Sequence, residues 1–195
     1  MRDSTGVSEP DFVWPPVWTI GHSTRSADEF SQTLLAHQIK TLADVRSFPG
    51  SRRYPHFNRE QLSEWLGEIG INYHHVPDLG GRRLVQPNSR NTSWRNQSFR
   101  AYADYMESEE FAKGISQLVG LARAARTSIM CAEALWWRCH RSLISDYLKA
   151  HGSVVTHIMD ASHSDEHPYT AAARIVDGAL SYEGLLTEQA RATNR

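Results

Sequence analysis

Cysteine is scarce in this chain. Only Cys131 and Cys139 occur among 195 residues, both within one short segment, which excludes a secreted disulfide framework. An excess of one charge is also missing: Lys and Arg number 21 against 22 Asp and Glu, for a formal net charge of −1. A polyanion would therefore have to be held by local clusters of arginine and not by a global field. No apolar run approaches the roughly 20 residues that cross a bilayer as a helix. The first 16 residues, MRDSTGVSEPDFVWPP, mix acids and prolines without a continuous apolar stretch, so they do not form a signal peptide. A cytoplasmic protein with no membrane partner is expected, with residues 1–16 a flexible polar leader and residues 17–195 a single α/β domain.

Familiar site signatures are missing too. There is no GxxxxGK[ST] phosphate loop, no GxGxxG and no Gly-x-Ser-x-Gly elbow. A cysteine with an arginine six residues on is absent, because Arg138 lies one residue too far from Cys131. A zinc site from Cys131, Cys139, His140 and a distant histidine fits none of the usual spacings. No metal and no cofactor is expected.

What is there is globular: 40% of residues are hydrophobic and 22% charged, enough for one packed core. Residues 17–20 read as a buried strand that breaks at Gly21. Ser26 and Glu29 form a capping box before a helix striped by Phe30, Leu34 and Leu35. Residues 41–45 are a second strand, running into the breaker-rich SFPGS. Asn58 and Gln61 cap a second helix, with Leu62, Trp65, Leu66 and Ile69 at helical spacing, and Gly70 ends it before a third strand at 71–76. A long polar segment, 77–97, precedes helical stretches at 99–106 and 111–122. Residues 127–131 and 154–158 are further strands, with a helix over 143–148 between them. Asp177-Gly178 joins residues 173–176 and 179–182 as a hairpin. The expected fold is α/β, a mostly parallel sheet of about five strands with helices on both faces, plus a C-terminal β-hairpin. In such sheets ligands bind outside the carboxyl ends of the strands.

Four segments at those ends carry reactive side chains. In CAEALWWRCHR, Cys131 and Glu133 follow a strand while Cys139, His140 and Arg141 open a helix, where unpaired N–H groups and an arginine attract anions and acidify a thiol at Cys139. Glu133, just past a buried strand, needs a partner or a task. In DVRSFPGSRR, Asp44 and Arg46 share one side of a strand, as a structural ion pair or as site groups, and Arg52, Arg53, Tyr54 and His56 make a basic, aromatic loop. Gly21 and His22 open GHSTR. The long segment carries Arg82, Arg83, Arg90, Arg95 and Arg100 with Trp94, Phe99, Tyr102 and Tyr105 among them, a mixture suited to a single strand or a flipped base.

Together, TIGHSTR, ADVRSFPGSRR, LGGRR, NTSWRNQSFRAYADYM, MCAEALWWRCHRSL and RIVDGALSY resemble the prokaryotic domain-of-unknown-function family numbered 488, over residues 18–182. The resemblance implies an α/β fold with a polar cleft formed by those loops and implies no activity.

The residues themselves point to a hydrolase acting on a nucleic acid or nucleotide, in its sharpest form a DNA glycosylase that removes damaged bases. Glu133, Asp44, His22 and His140 are the candidate catalytic groups. Arg46, Arg53, Arg82, Arg95 and Arg141 would hold phosphates, with Cys139 beside them, and Trp94, Tyr102 and Trp137 would stack on a base. Two alternatives stand: a non-catalytic module binding nucleic acid or a phosphorylated metabolite, and a thiol enzyme using Cys139 with Cys131 as resolving partner. The oligomeric state is not readable.

Overall fold

The computed structural model describes residues 13–184, so most of the expected leader, residues 1–12, lies outside them. The leader's described end is held in place. Trp14 packs on His151 at 4.8 Å between ring centroids, and the Pro15 carbonyl accepts from Ser153 Oγ at 2.7 Å.

The strands are β1 (Val17–Gly21), β2 (Thr41–Asp44), β3 (Asn72–His75), β4 (Thr127–Cys131), β5 (Val155–Ile158) and β6 (Ser164–Glu166). They form one sheet in the order β3-β2-β4-β1-β5-β6, parallel except for the antiparallel edge strand β6. The α-helices among the described residues are α1 (Ala27–Ala36), α2 (Arg59–Glu68), α3 (Gln97–Tyr105), α4 (Glu109–Ala124) and α5 (Arg141–Ala150). A separate hairpin, β7 (Arg174–Val176) and β8 (Ala179–Ser181), turns on Asp177 and Gly178, whose φ angles of 50° and 81° are those of a tight hairpin turn. The α/β class, the parallel sheet and the hairpin are as the sequence implies.

Strand alternation sorts the core into two layers. Ile20, Leu42 and Met130 pack with Phe30 and Leu34 of α1 and Leu62 and Leu66 of α2. Val17, Ala43, Ile129 and Val155 face the opposite way, onto Tyr102 of α3, Phe111 and Leu118 of α4, and Leu143 and Leu148 of α5. The Ser26–Glu29 capping box forms. Asn58 does sit at the N-cap of α2, but its side chain makes no cap hydrogen bond; Oδ1 instead accepts from Ser51 N at 2.6 Å and holds the loop after β2. Leu35, expected in the apolar stripe of α1, is 46% exposed. Among the described residues no helix is long and apolar enough to cross a membrane.

The neighbours β2 and β4 exit toward opposite faces, the first to α2 and the second to α5. Their exit loops part, which leaves a crevice at the carboxyl edge of the sheet.

Candidate active site

A cleft of about 350 Å³ occupies this crevice. Arg46, Ser47 and Phe48 from the β2 exit form one wall, and Cys131, Ala132 and Glu133 from the β4 exit form the floor. Arg138, Cys139 and His140 lead into α5, while Gly81, Arg82, Ser98 and Phe99 close the far side. The loops after β2 and β4 thus meet as the sequence implies. The β1 loop supports them from behind: His22 N and Ser23 N donate to the Cys131 and Ala132 carbonyls, each at 2.9 Å.

Asp44 is fully buried and its acceptor capacity is spent. Oδ1 receives Arg46 N at 3.1 Å and Nε at 2.8 Å, and Oδ2 receives Arg46 Nη2 at 2.6 Å and the Tyr73 hydroxyl at 2.8 Å. The spacing that put Asp44 and Arg46 on one side therefore describes a structural ion pair, not a catalytic base. Arg46 also donates to the Phe57 carbonyl at 2.8 Å, so little of its guanidinium is left for a substrate.

His22 Nδ1 lies 3.0 Å from the Ser23 carbonyl, which makes it the donor and leaves Nε2 to accept from Arg46 Nη1 at 3.3 Å. Burial, with the Arg46 charge second, holds its pKa down to about 4. His22 is a neutral support, stacked on Phe57 at 4.2 Å, and does not line the cleft. His140 does. Its Nε2 sits 3.1 Å from the Val45 carbonyl and is the donor there, so Nδ1 carries the lone pair; burial lowers its pKa. Gly81 lies flat over this ring, where a Cβ would fall on Nδ1 and stand 2.8 and 3.0 Å from Cγ and Cε1.

The thiols exchange the roles expected of them. The pKa of Cys131 is pushed down to about 6, first by the Cys139 thiol donating to it, against the opposing effect of burial, then by Arg141 and by the backbone N–H groups of Glu133 and Ala132. Burial raises Cys139 well above the ordinary thiol range. Arg141, only 1% exposed, is no anion site. It donates to Cys139 Sγ at 3.1 Å, to Thr19 Oγ1 at 3.4 Å and to the carbonyls of Glu133 and Ala134 at 2.5 and 3.2 Å. The guanidinium thereby fixes the floor of the cleft from beneath.

Behind Arg141 runs a buried chain of hydrogen bonds that sequence reading missed. Thr19 Oγ1 meets His157 Nδ1 at 2.7 Å, His157 Nε2 meets His167 Nδ1 at 2.8 Å, and His167 Nε2 meets Asp146 Oδ1 at 3.0 Å. A guanidinium only donates and a carboxylate only accepts, so every link points one way, from Arg141 to Asp146. Thr170 N and Oγ1 and the Tyr182 hydroxyl complete the shell of Asp146 at 2.8, 2.6 and 2.9 Å. Trp136 lies parallel to His157 at 4.1 Å and pins the floor loop to this chain.

Desolvation holds His157 neutral, its pKa lowered to about 2. With His22 it makes the fold sensitive to acid. Both imidazoles take up protons near pH 6.5 when unfolded and resist them when folded, so their contribution is complete above pH 6.5 and is lost as pH falls below it. The loss approaches about 1.4 kcal/mol per pH unit for each histidine. Urea midpoints should therefore fall steadily from pH 6.5 to pH 5, and a His22→Gln variant should show a shallower fall.

The remaining candidates are dispersed. Glu133 is exposed at the cleft mouth, so it is not a buried charge in need of a partner. Tyr102 is wholly buried with its hydroxyl on the Leu79 carbonyl at 2.9 Å, and Trp94 is wedged between Phe99 and Tyr182 at 4.9 and 5.7 Å; neither offers a free face to a base. Trp137 is 48% exposed, edge-on to Trp136, and Arg53 is exposed beside Tyr54; both lie outside the cleft lining. Arg95 is exposed elsewhere on the long segment. Of that segment's five arginines only Arg82 lines the cleft. Arg83 lies on the Tyr105 ring at 3.5 Å, Arg90 pairs with Glu183 at 3.5 Å and Arg100 binds the Trp94 carbonyl. Phe48 and Arg138 join the cleft without having been singled out as site residues, and Cys131, read only as a resolving partner, lines it as well. Phe48 had a readable signal, a large aromatic in a Pro-Gly loop with no partner at helix or strand spacing.

The sequence model described as domain of unknown function DUF488 matches residues 26–148, a span that contains the exits of β2 and β4 and the start of α5. The chain belongs to the DUF488 family. No curated protein and no solved structure matches it. Within the DUF488 span lie all the residues that line the cleft, whereas Thr19, His157, His167 and Tyr182 fall outside it.

Proposed function

We propose that the protein is a cytoplasmic hydrolase acting on a nucleotide or a nucleic-acid strand, with Glu133 as the general acid and base. One observation carries this reading: Glu133 is the only carboxylate among the described residues lining the cleft, a lining it shares with Arg82, Arg138 and the rings of Phe48 and Phe99. Phe48 is 73% exposed at the mouth, with the Arg82 guanidinium 5.6 Å from its ring centroid. An aromatic face beside a cation suits a base and its phosphate. Cleavage of the glycosidic bond to a damaged base is the sharpest form of the reading, and the unbridged cysteines suit a reducing compartment.

The test is a panel of nucleotides and of single- and double-stranded DNA carrying uracil, deaminated or oxidised bases, read for base release, phosphate release and binding across a salt series. Glu133→Gln should lower turnover at least about 100-fold, the scale of a lost acid–base group, and leave binding within a fewfold. Salt-sensitive binding with no turnover in the parent protein would favour the non-catalytic module. Turnover unchanged in Glu133→Gln would remove Glu133 from the chemistry.

A thiol reading is favoured by the donors gathered around Cys131, which would make that residue the nucleophile in place of Cys139. Alkylation of Cys131 with full retention of turnover would end it.

A further inference from the structure

We propose that Cys131, Cys139 and His140 bind a zinc ion on the floor of the cleft, with one coordination position left open beside Glu133. This deepens the hydrolase reading of the same cleft, although the ion's presence does not depend on that reading.

The expectation of no metal came from spacings suited to a closed set of four protein ligands. An open site needs three, because the substrate or water takes the fourth position. Here two sulfurs and an imidazole nitrogen lie within 4.8 Å of one another, all three residues lining one cleft. Zinc bonds of about 2.3 Å to sulfur and 2.0–2.1 Å to nitrogen would place tetrahedral ligand atoms roughly 3.5–3.8 Å apart, so closure on the ion requires shifts of about an ångström. Thiolate and imidazole are ligands for zinc and its softer neighbours, not for magnesium or calcium, which take oxygen.

The surroundings are those of a ligand set held in readiness. His140 gives its Nε2 proton to the Val45 carbonyl, which orients the ring and leaves Nδ1 as the donor atom, the arrangement that a metal-bound histidine uses. Arg141 donates to Cys139 Sγ at 3.1 Å, an outer-shell hydrogen bond of the kind that steadies a coordinated thiolate. Gly81 lies against the His140 ring beside Nδ1, and its lack of a Cβ keeps a side chain from colliding with that atom. Glu133, two residues from Cys131, supplies no ligand atom to the cluster and stands exposed at the cleft mouth. Water in the open position would give a proton to Glu133 and attack the electrophilic centre of the substrate. The bond to the leaving group then breaks, and that group departs with the proton from Glu133.

The experiment is cobalt titration of the reduced, chelator-treated full-length protein, followed by absorption spectroscopy and by metal analysis of dialysed protein. Saturation at about one equivalent, with intense sulfur-to-cobalt charge-transfer bands and the visible bands of four-coordinate cobalt, is the expected result. Zinc should displace the cobalt. His140→Ala and Cys139→Ser should each weaken binding by more than the roughly 10- to 100-fold that loss of an outer-shell partner costs. Glu133→Gln should keep the spectrum unchanged.

Absence of the charge-transfer bands in the parent protein would overturn the proposal, and that result stands even where a variant fails to fold. Retention of the full spectrum in a folded His140→Ala variant would overturn it equally. If cobalt binds as described while no nucleotide or nucleic acid is hydrolysed by the zinc form, the metal site stands and the hydrolase reading falls. If metal-free protein hydrolyses its substrate at the full rate, the hydrolase reading stands and the ion has no part in the chemistry, whereas its binding is decided by the cobalt spectrum alone.

Discussion

Replacing Gly21 with alanine should lower the stability of the fold by about 3 kcal/mol and abolish whatever turnover the cleft supports. A Cβ at this position would fall on the Glu133 carbonyl oxygen, with the Glu133 carbonyl carbon at 2.7 Å and Ala134 Cα at 2.9 Å. All three obstacles are backbone, so no rotamer change relieves them. The floor loop has nowhere to retreat, because Arg141 grips the carbonyls of Glu133 and Ala134 and Trp136 is stacked on His157. Overpacking against such neighbours costs typically 1–3 kcal/mol, and the absence of slack puts Gly21 at the top of that range. For a chain of this size the melting temperature should fall by about 6–12 °C. Gly67→Ala and Gly120→Ala are the matched controls: both glycines are helical, and a Cβ at either meets nothing within 4 Å. Each control should gain about 0.5–1 kcal/mol. A Gly21→Ala variant as stable as the parent would mean that the loop yields, and its loss of turnover would then be the only trace of the clash.

The second large effect concerns Arg46. An Arg46→Met variant keeps the bulk of the side chain and leaves the Asp44 carboxylate, 0% exposed, with one backbone N–H and the Tyr73 hydroxyl as donors. Removing one partner of a buried pair strands the other charge and costs about 3–5 kcal/mol, a fifth or more of what holds an ordinary domain together. The Phe57 carbonyl and His22 Nε2 lose a donor in the same step. Asp44→Asn combined with Arg46→Met removes the stranded charge, so the double variant should lose clearly less than the two single losses added together. Chemical denaturation of the four proteins in the cycle measures this coupling, and simple additivity would mean that the pair is not a unit.

How far the sequence disclosed this architecture depends on the range of the interaction. Strand β4 is bounded by a helix end and by the polar AEA, and its apolar run coincides with the observed Thr127–Cys131. The capping box at Ser26 and the Asp177-Gly178 turn are settled within a few residues, and both appear as read. Strand β6 was invisible because SDE has neither alternation nor apolar residues; it forms only because the edge of β5 offers it backbone partners. The meeting of the β2 and β4 exits was legible from the rule that ligands sit at strand ends, but the division of labour between Asp44 and Glu133 was not. Spacing put Asp44 beside Arg46 without telling that the two saturate each other. Glu133 was singled out because a carboxylate just past a buried strand needs a partner or a task, and it lies exposed at the mouth of the cleft.

The arginine-rich segment failed as a patch for a related reason. A long guanidinium stem reaches any nearby carbonyl or ring, and Arg83 and Arg100 found theirs within the segment and α3. The Thr19–His157 contact spans 138 residues of sequence, and nothing local to either residue announces it.

That buried chain also fixes where the protein can be cut. The family model stops at residue 148, two residues beyond Asp146, yet among the described residues the groups that donate to this carboxylate come from residues 167, 170 and 182. A fragment trimmed to the matched span would carry a naked anion on the inner face of α5, open to water exactly where the full chain excludes it. The segment that runs from His167 through the hairpin to Tyr182 is therefore a stopper for the interior, and the floor of the cleft is rigid only while it is seated.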